Sequence, residues 1–139
     1  MSRVINLETT GKERTRLVKG IVLALRSLMQ QGGLDEQTRD LAAFIALALE
    51  ATAATIDSSV EPWEKRGYWI KADRFRMEWS WSERFGKAMR QAVLNEEWME
   101  VARLSADLAG RLGEVKIPQR NHLGTPWVGA WRRLRGESA

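Results

Sequence analysis

The sequence predicts an all-α protein: an antiparallel up-down four-helix bundle followed by a short C-terminal amphipathic helix. Three observations lead there. Apolar residues recur at three- and four-residue spacing through most of the chain. The interruptions at 32–34 and near Asn95 are short enough to force consecutive helices antiparallel. Only three prolines occur in 139 residues, so long helices meet few breakers.

Residues 1–8 read as an irregular arm. Thr10 and Glu13 have the spacing of a capping box, in which each side chain satisfies a free backbone N–H, so a first helix is expected from there. Leu17, Ile21, Ala24, Leu25 and Leu28 form its apolar face, Lys12, Arg16, Lys19 and Arg26 its wet face, and Gln31, Gly32 and Gly33 its end. Asp35 is a good cap for a second helix. That helix carries the unbroken apolar run 41–49 and then Ala51, Ala53, Ala54 and Ile56. A helix apolar on nearly every side must be surrounded, so it is expected at the centre of the fold. Its end has two readings: a break near Ser58 or Ser59, with Pro62 in the first turn of the next helix, or a kinked helix running on to Gly67. The cost of an interior proline, about 3 kcal/mol, favours the break.

The third helix then runs to about Leu94, and Asn95 with the two glutamates after it reads as the cap of a fourth. Trp98, Val101, Ala102, Ser105, Leu108, Ala109 and Leu112 give that helix a core stripe, and Gly113 ends it. Residues 115–118 look extended. Thr125 and Pro126 begin a short helix with Trp127, Trp131 and Leu134 on one face. A single domain is expected over 1–139, with the bundle at about 10–113 and a C-terminal extension at about 114–139, since one core suffices for a 15.9 kDa chain.

Composition narrows the chemistry. Zero cysteines exclude disulfides, thiolate metal sites and cysteine nucleophiles, and a single histidine, His122, cannot build a histidine metal cage within one chain. The longest apolar run, 41–49, falls short of the roughly 18 consecutive residues of a membrane span. The N-terminal residues lack the order of a secretory signal, so the cytoplasm is the expected compartment. The net charge of +4 resides in 116–139, which hold five basic residues against Glu137, while the rest of the chain is balanced. Any attraction to a polyanion therefore belongs to the tail.

On a helical wheel the third helix has two apolar stripes. Trp63, Gly67, Ile70, Met77, Trp81, Phe85, Ala88 and Ala92 form the first. Tyr68, Ala72, Phe75, Trp79, Gly86, Met89 and Val93 form a second on nearly the opposite side. A continuous aromatic band in water is costly, so the second stripe requires a cover: the chain's own tryptophan tail, a second copy in a twofold dimer, or a different protein. Trp81 and Trp98 are expected in the core. Tyr68, Trp69, Phe75, Trp79, Trp127 and Trp131 are the interface candidates, because tryptophan and tyrosine anchor interfaces.

The expected function is accordingly non-enzymatic association, with a homodimer favoured and another protein as a further partner. An alternative is nucleic-acid binding by the tail through Arg132, Arg133 and Arg135, a helix that could equally lie on an anionic membrane surface. A third is carboxylate- or metal-dependent hydrolysis. Glu96, Glu97 and Glu100 supply half of a magnesium cage, but Glu114 is followed by Ile117 where a second carboxylate is needed. Glu50, Asp57 and Arg74 are expected as charges turned into the bundle, paired there because lone buried charge is not tolerated. His122 sits in a polar turn without a nucleophile-elbow pattern, and no phosphate-loop glycine pattern occurs. No catalytic residue, metal or cofactor is expected.

Overall fold

The computed structural model describes residues 7–136, which form five helices and, among the described residues, no strand. They are α1 (Leu7–Met29), α2 (Glu36–Lys65), α3 (Trp69–Leu94), α4 (Trp98–Arg111) and the single-turn α5 (Ala130–Leu134). The protein is all-α, and its four long helices pack against one another. α2 is the hub, in contact with α1, α3 and α5; α4 lies on α3 and more lightly on α1. Ile21, Leu41, Ile45, Leu49, Met89 and Leu108 are fully buried at the centre.

α1 is already helical at Leu7, ahead of the expected start at Thr10, and Thr10 is a buried residue inside the helix. The irregular arm expected at 1–8 otherwise lies outside the described residues. Asp35 caps α2 as expected, its Oδ1 accepting the Thr38 N–H at 2.9 Å. The break at Ser58 or Ser59 does not occur: α2 runs 30 residues, about 45 Å, and continues past Pro62 to Lys65. The lost hydrogen bond is offset by packing. Ile56 and Val60 are buried against Ala72 of α3, with Trp63, Phe75 and Trp79 around them. Of these, Val60 and Trp63 follow the expected break, and their burial stabilises the continuous helix by about 3–5 kcal/mol, comparable to or above the cost of the proline.

α2 and α3 end the same way. Tyr68 N–H donates to Trp63 O at 2.8 Å and Gly67 N–H to Glu64 O at 3.0 Å, with Gly67 at φ +80°. At the end of α3, Glu97 N–H donates to Ala92 O at 2.8 Å and Glu96 N–H to Val93 O at 3.0 Å, with Glu96 at φ +54°. Asn95 therefore closes α3 instead of opening α4, which begins without a side-chain cap. In α4 the buried positions are Val101, Leu104, Ser105 and Leu108, and Ala102 faces solvent. α5 starts at Ala130, later than Thr125 and Pro126 suggest, because residues 126–129 form a turn.

Lengths decide what is covered. α4 has 14 residues, about 21 Å, against 26 residues, about 39 Å, in α3. It covers the C-terminal half of α3 and leaves the N-terminal half paired with α2 and the start of α1. α2 is long enough and apolar enough to cross a bilayer by length and composition, which the count of consecutive apolar residues missed; 56% of its most apolar stretch is buried by neighbouring helices.

Candidate functional site

The two stripes of α3 do not divide as the sequence suggests. The second stripe is the inward one: Ala72, Gly86, Met89 and Val93 are buried, and Phe75 and Trp79 are half-buried. At Gly86 a Cβ would stand 3.4 Å from Leu49 Cβ and Glu50 N, so the missing side chain sets how closely α2 and α3 approach. The first stripe is split. Trp81 and Ala92 are buried and Phe85 and Ala88 half-buried on the side of α4, whereas Ile70 (71% exposed) and Met77 (76%) face water. The apolar surface in need of a cover is thus the N-terminal part of the first stripe. The extension of α2 to Lys65 is what hides the other one.

Beside Ile70 stand Tyr68 (53% exposed) and Trp69 (60%) at the turn between α2 and α3. Together they make an apolar tip. On one flank it opens into a depression of about 800 Å³ between Trp63, Tyr68, Trp69, Ile70, Arg74 and Glu78. Lys71 Nζ lies 4.4 Å from the Trp63 ring centroid. From there rings run inward: Trp63 to Phe75 at 5.4 Å, edge to face, Phe75 to Trp79 at 6.4 Å, and Trp79 stacked on Trp81 at 5.6 Å.

Arg14 of α1 holds this row from the side. Its guanidinium lies 4.9 Å from the Phe75 ring centroid and 5.5 Å from that of Trp79. Nε donates to Thr55 Oγ1 at 3.0 Å, and Nη2 donates to Thr55 O at 3.3 Å and to Ser59 Oγ. No carboxylate pairs with Arg14 among the described residues; aromatic faces and α2 oxygens replace one, and burial pulls its pKa below the usual arginine value. The sequence carries a signal for this residue: Arg14 falls in register with the buried Val18, Ile21 and Leu25 on α1.

The expected buried charges sit further out. Glu50 is half-buried and pairs with Arg90, not Arg74, through Oε2 at 2.5 Å from Nε and Oε1 at 2.9 Å from Nη2; these hydrogen bonds raise the pKa of Arg90. Asp57 is exposed and accepts from Arg76 at 2.5 Å, while Glu64 accepts from the same guanidinium at 3.3 Å. Those contacts, Asp57 first, raise the pKa of Arg76. Arg74 is exposed at the tip. The correction follows from rotation: Asp57 and Arg74 lie on the outer sides of their helices once α2 and α3 face each other through Val60 and Ala72.

The tail docks on its own chain, away from the tip. Trp127 is 7% exposed, its ring 6.5 Å from Phe44 of α2, and Trp131 sits 6.2 Å from Trp98 of α4. Asp40, buried in α2, accepts Gly129 N–H at 3.1 Å and Trp131 N–H at 2.9 Å. Arg133 donates to Val128 O and Pro126 O, Arg135 lies over the Trp131 ring at 4.8 Å, and Arg132 is exposed. His122 is exposed in a turn fastened by Asn121, whose Oδ1 accepts the Leu123 N–H at 3.1 Å. Glu100 is held by Arg103 at 2.6 Å, which lowers its pKa, and no acidic or histidine cluster able to hold a metal forms among the described residues.

Compared with known proteins, the chain matches no family model, no curated sequence and no solved structure.

Proposed function

We propose that the chain works by association, not catalysis, and that it pairs with a second copy of itself through the tip between α2 and α3. The observation that carries this is the exposure of Tyr68, Trp69 and Ile70 around one depression, with Met77 exposed about two turns further along the same face of α3. Burying half of each would stabilise a complex by about 4 kcal/mol. Bringing two chains together costs roughly 4–15 kcal/mol, so one such patch falls short. A twofold dimer counts the patch twice and brings about 8 kcal/mol to the same cost, which favours a second copy over a partner lacking an equivalent surface.

Charge at the tip agrees. Residues 61–78 interleave five basic with four acidic side chains, a mixture that suits another mixed protein surface better than an anionic membrane. A cytoplasmic setting belongs to the same proposal, in which α2, with 56% of its most apolar stretch buried by its neighbours, serves as a core helix. The antiparallel up-down order of the four helices is supported by their short connections and by the contact of each helix with the next.

Light scattering on the purified chain tests the proposal. The wild type is expected to rise towards a two-chain mass as its concentration approaches about 1 mM, and Ile70→Asp and Met77→Asp to keep a one-chain mass with unchanged helicity, because both residues are exposed in the single chain. A wild type that stays single at every concentration overturns it.

A further inference from the structure

Resting on that association, we infer the register in which two copies meet: two α3 helices cross antiparallel near Met77, with Arg74 of each beside Glu78 of the other. Arg74 and Glu78 lie four residues apart on the same flank of the exposed stripe, and both border the depression at the tip. Neither has an ion-pair or hydrogen-bond partner among the described residues. Other spaced pairs behave differently: Glu61 bonds Lys65 at 3.1 Å and Glu83 bonds Lys87 at 3.3 Å. Arg103 also bonds Asp107 at 3.0 Å, in the same base-first order as Arg74 and Glu78, so the order alone does not keep the latter two apart. A charge of each sign is left unneutralised at the edge of an apolar surface.

A twofold axis perpendicular to two antiparallel helices sets the same flank of each helix together and places residues symmetrically about the level of the axis. With the axis level with Arg76, Arg74 of one copy falls beside Glu78 of the other, and the pair is repeated once by symmetry. Met77 of both copies then meets at the centre. A parallel arrangement would set this flank against the opposite flank, which carries Asp73, Ser80 and Arg84, and would leave Glu78 without a basic partner at its level. Residues 70–78 are also the part of α3 beyond the reach of α4, so the crossing falls where the helix is open.

Two single reversals test the register. Arg74→Glu gives a chain acidic at both positions, and Glu78→Arg one basic at both. Each alone is expected to dimerise at least about tenfold more weakly than wild type in sedimentation equilibrium, with the deficit shrinking in 1 M salt. Mixed in equal amounts, the two variants are expected to regain the two-chain mass, since both acidic side chains of one variant then face the basic side chains of the other. A dimeric wild type whose single variants stay dimeric, or whose mixture stays monomeric, overturns the register and leaves the association intact. A wild type that is monomeric throughout overturns both, and one that remains single yet sediments with phosphatidylcholine vesicles assigns the tip to a lipid surface instead.

Discussion

Asp40 and Trp131, 91 residues apart, are joined by a hydrogen bond of 2.9 Å from the Trp131 N–H to the carboxylate, which also takes the Gly129 N–H. A carboxylate buried in the hub helix thus serves as the cap of α5, a turn too short to be stable unaided. Asp40→Ala leaves two N–H groups without an acceptor and is expected to cost about 2–3 kcal/mol in urea unfolding. Trypsin should then cut the variant at Arg132 and Arg133 under conditions that spare the wild type. Equal stability together with equal resistance would show that the apolar packing of Trp127, Ala130 and Leu134 holds the tail without the carboxylate.

Arg14 reaches from α1 to the rings of Phe75 and Trp79 on α3, and its hydrogen bonds go to α2. It therefore ties three helices at one point. Arg14→Ala is expected to cost about 2–3 kcal/mol and to shift tryptophan emission to the red as Trp79 is wetted. Arg14→Lys should recover only part, because an ammonium lacks the planar fork that spans Thr55 and Ser59. The exposed Arg16→Ala, within about 0.5 kcal/mol of wild type, is the control.

The helical faces were legible because they depend on local spacing, and Ile21, Leu41 and Leu108 fall where periodicity puts them. The path through Pro62 was not. Its cost is local and visible, while the compensation comes from Ala72, Phe75 and Trp79 on a helix not yet placed. The uncovered stripe was misassigned for the same reason: whether Phe75 or Ile70 faces water depends on the reach of α2 and the shortness of α4, both set by helix ends. Asp40 was hidden by its neighbours, since a carboxylate beside the run 41–49 reads as the boundary of a core helix until the tail is seen to arrive there.

Asp35 makes the start of α2 sensitive to acid. The Thr38 N–H and hydroxyl hold its carboxyl below the usual aspartate range. A carboxyl depressed in the folded state stabilises fully above its unfolded pKa and loses that contribution as pH falls through the folded value, so the loss comes below about pH 4. Thermal unfolding should place the wild type above Asp35→Ala at pH 7, with the gap narrowing from pH 4 towards pH 2.5. A gap independent of pH would mean that the ionised form has no advantage as a cap.

Gly67 terminates α2 at φ +80° with nothing within 4 Å of where a Cβ would stand. Any loss on substitution is therefore conformational and not steric. Gly67→Ala is expected to cost about 1–2 kcal/mol, and Gly67→Asn clearly less, because asparagine visits the left-handed region more readily. If the two variants lose the same amount, backbone handedness does not govern the turn. The position also bears on association, since Tyr68 and Trp69 follow the turn directly. Gly67→Ala should weaken the dimer by more than Gly67→Asn does, in the same order as their losses of stability.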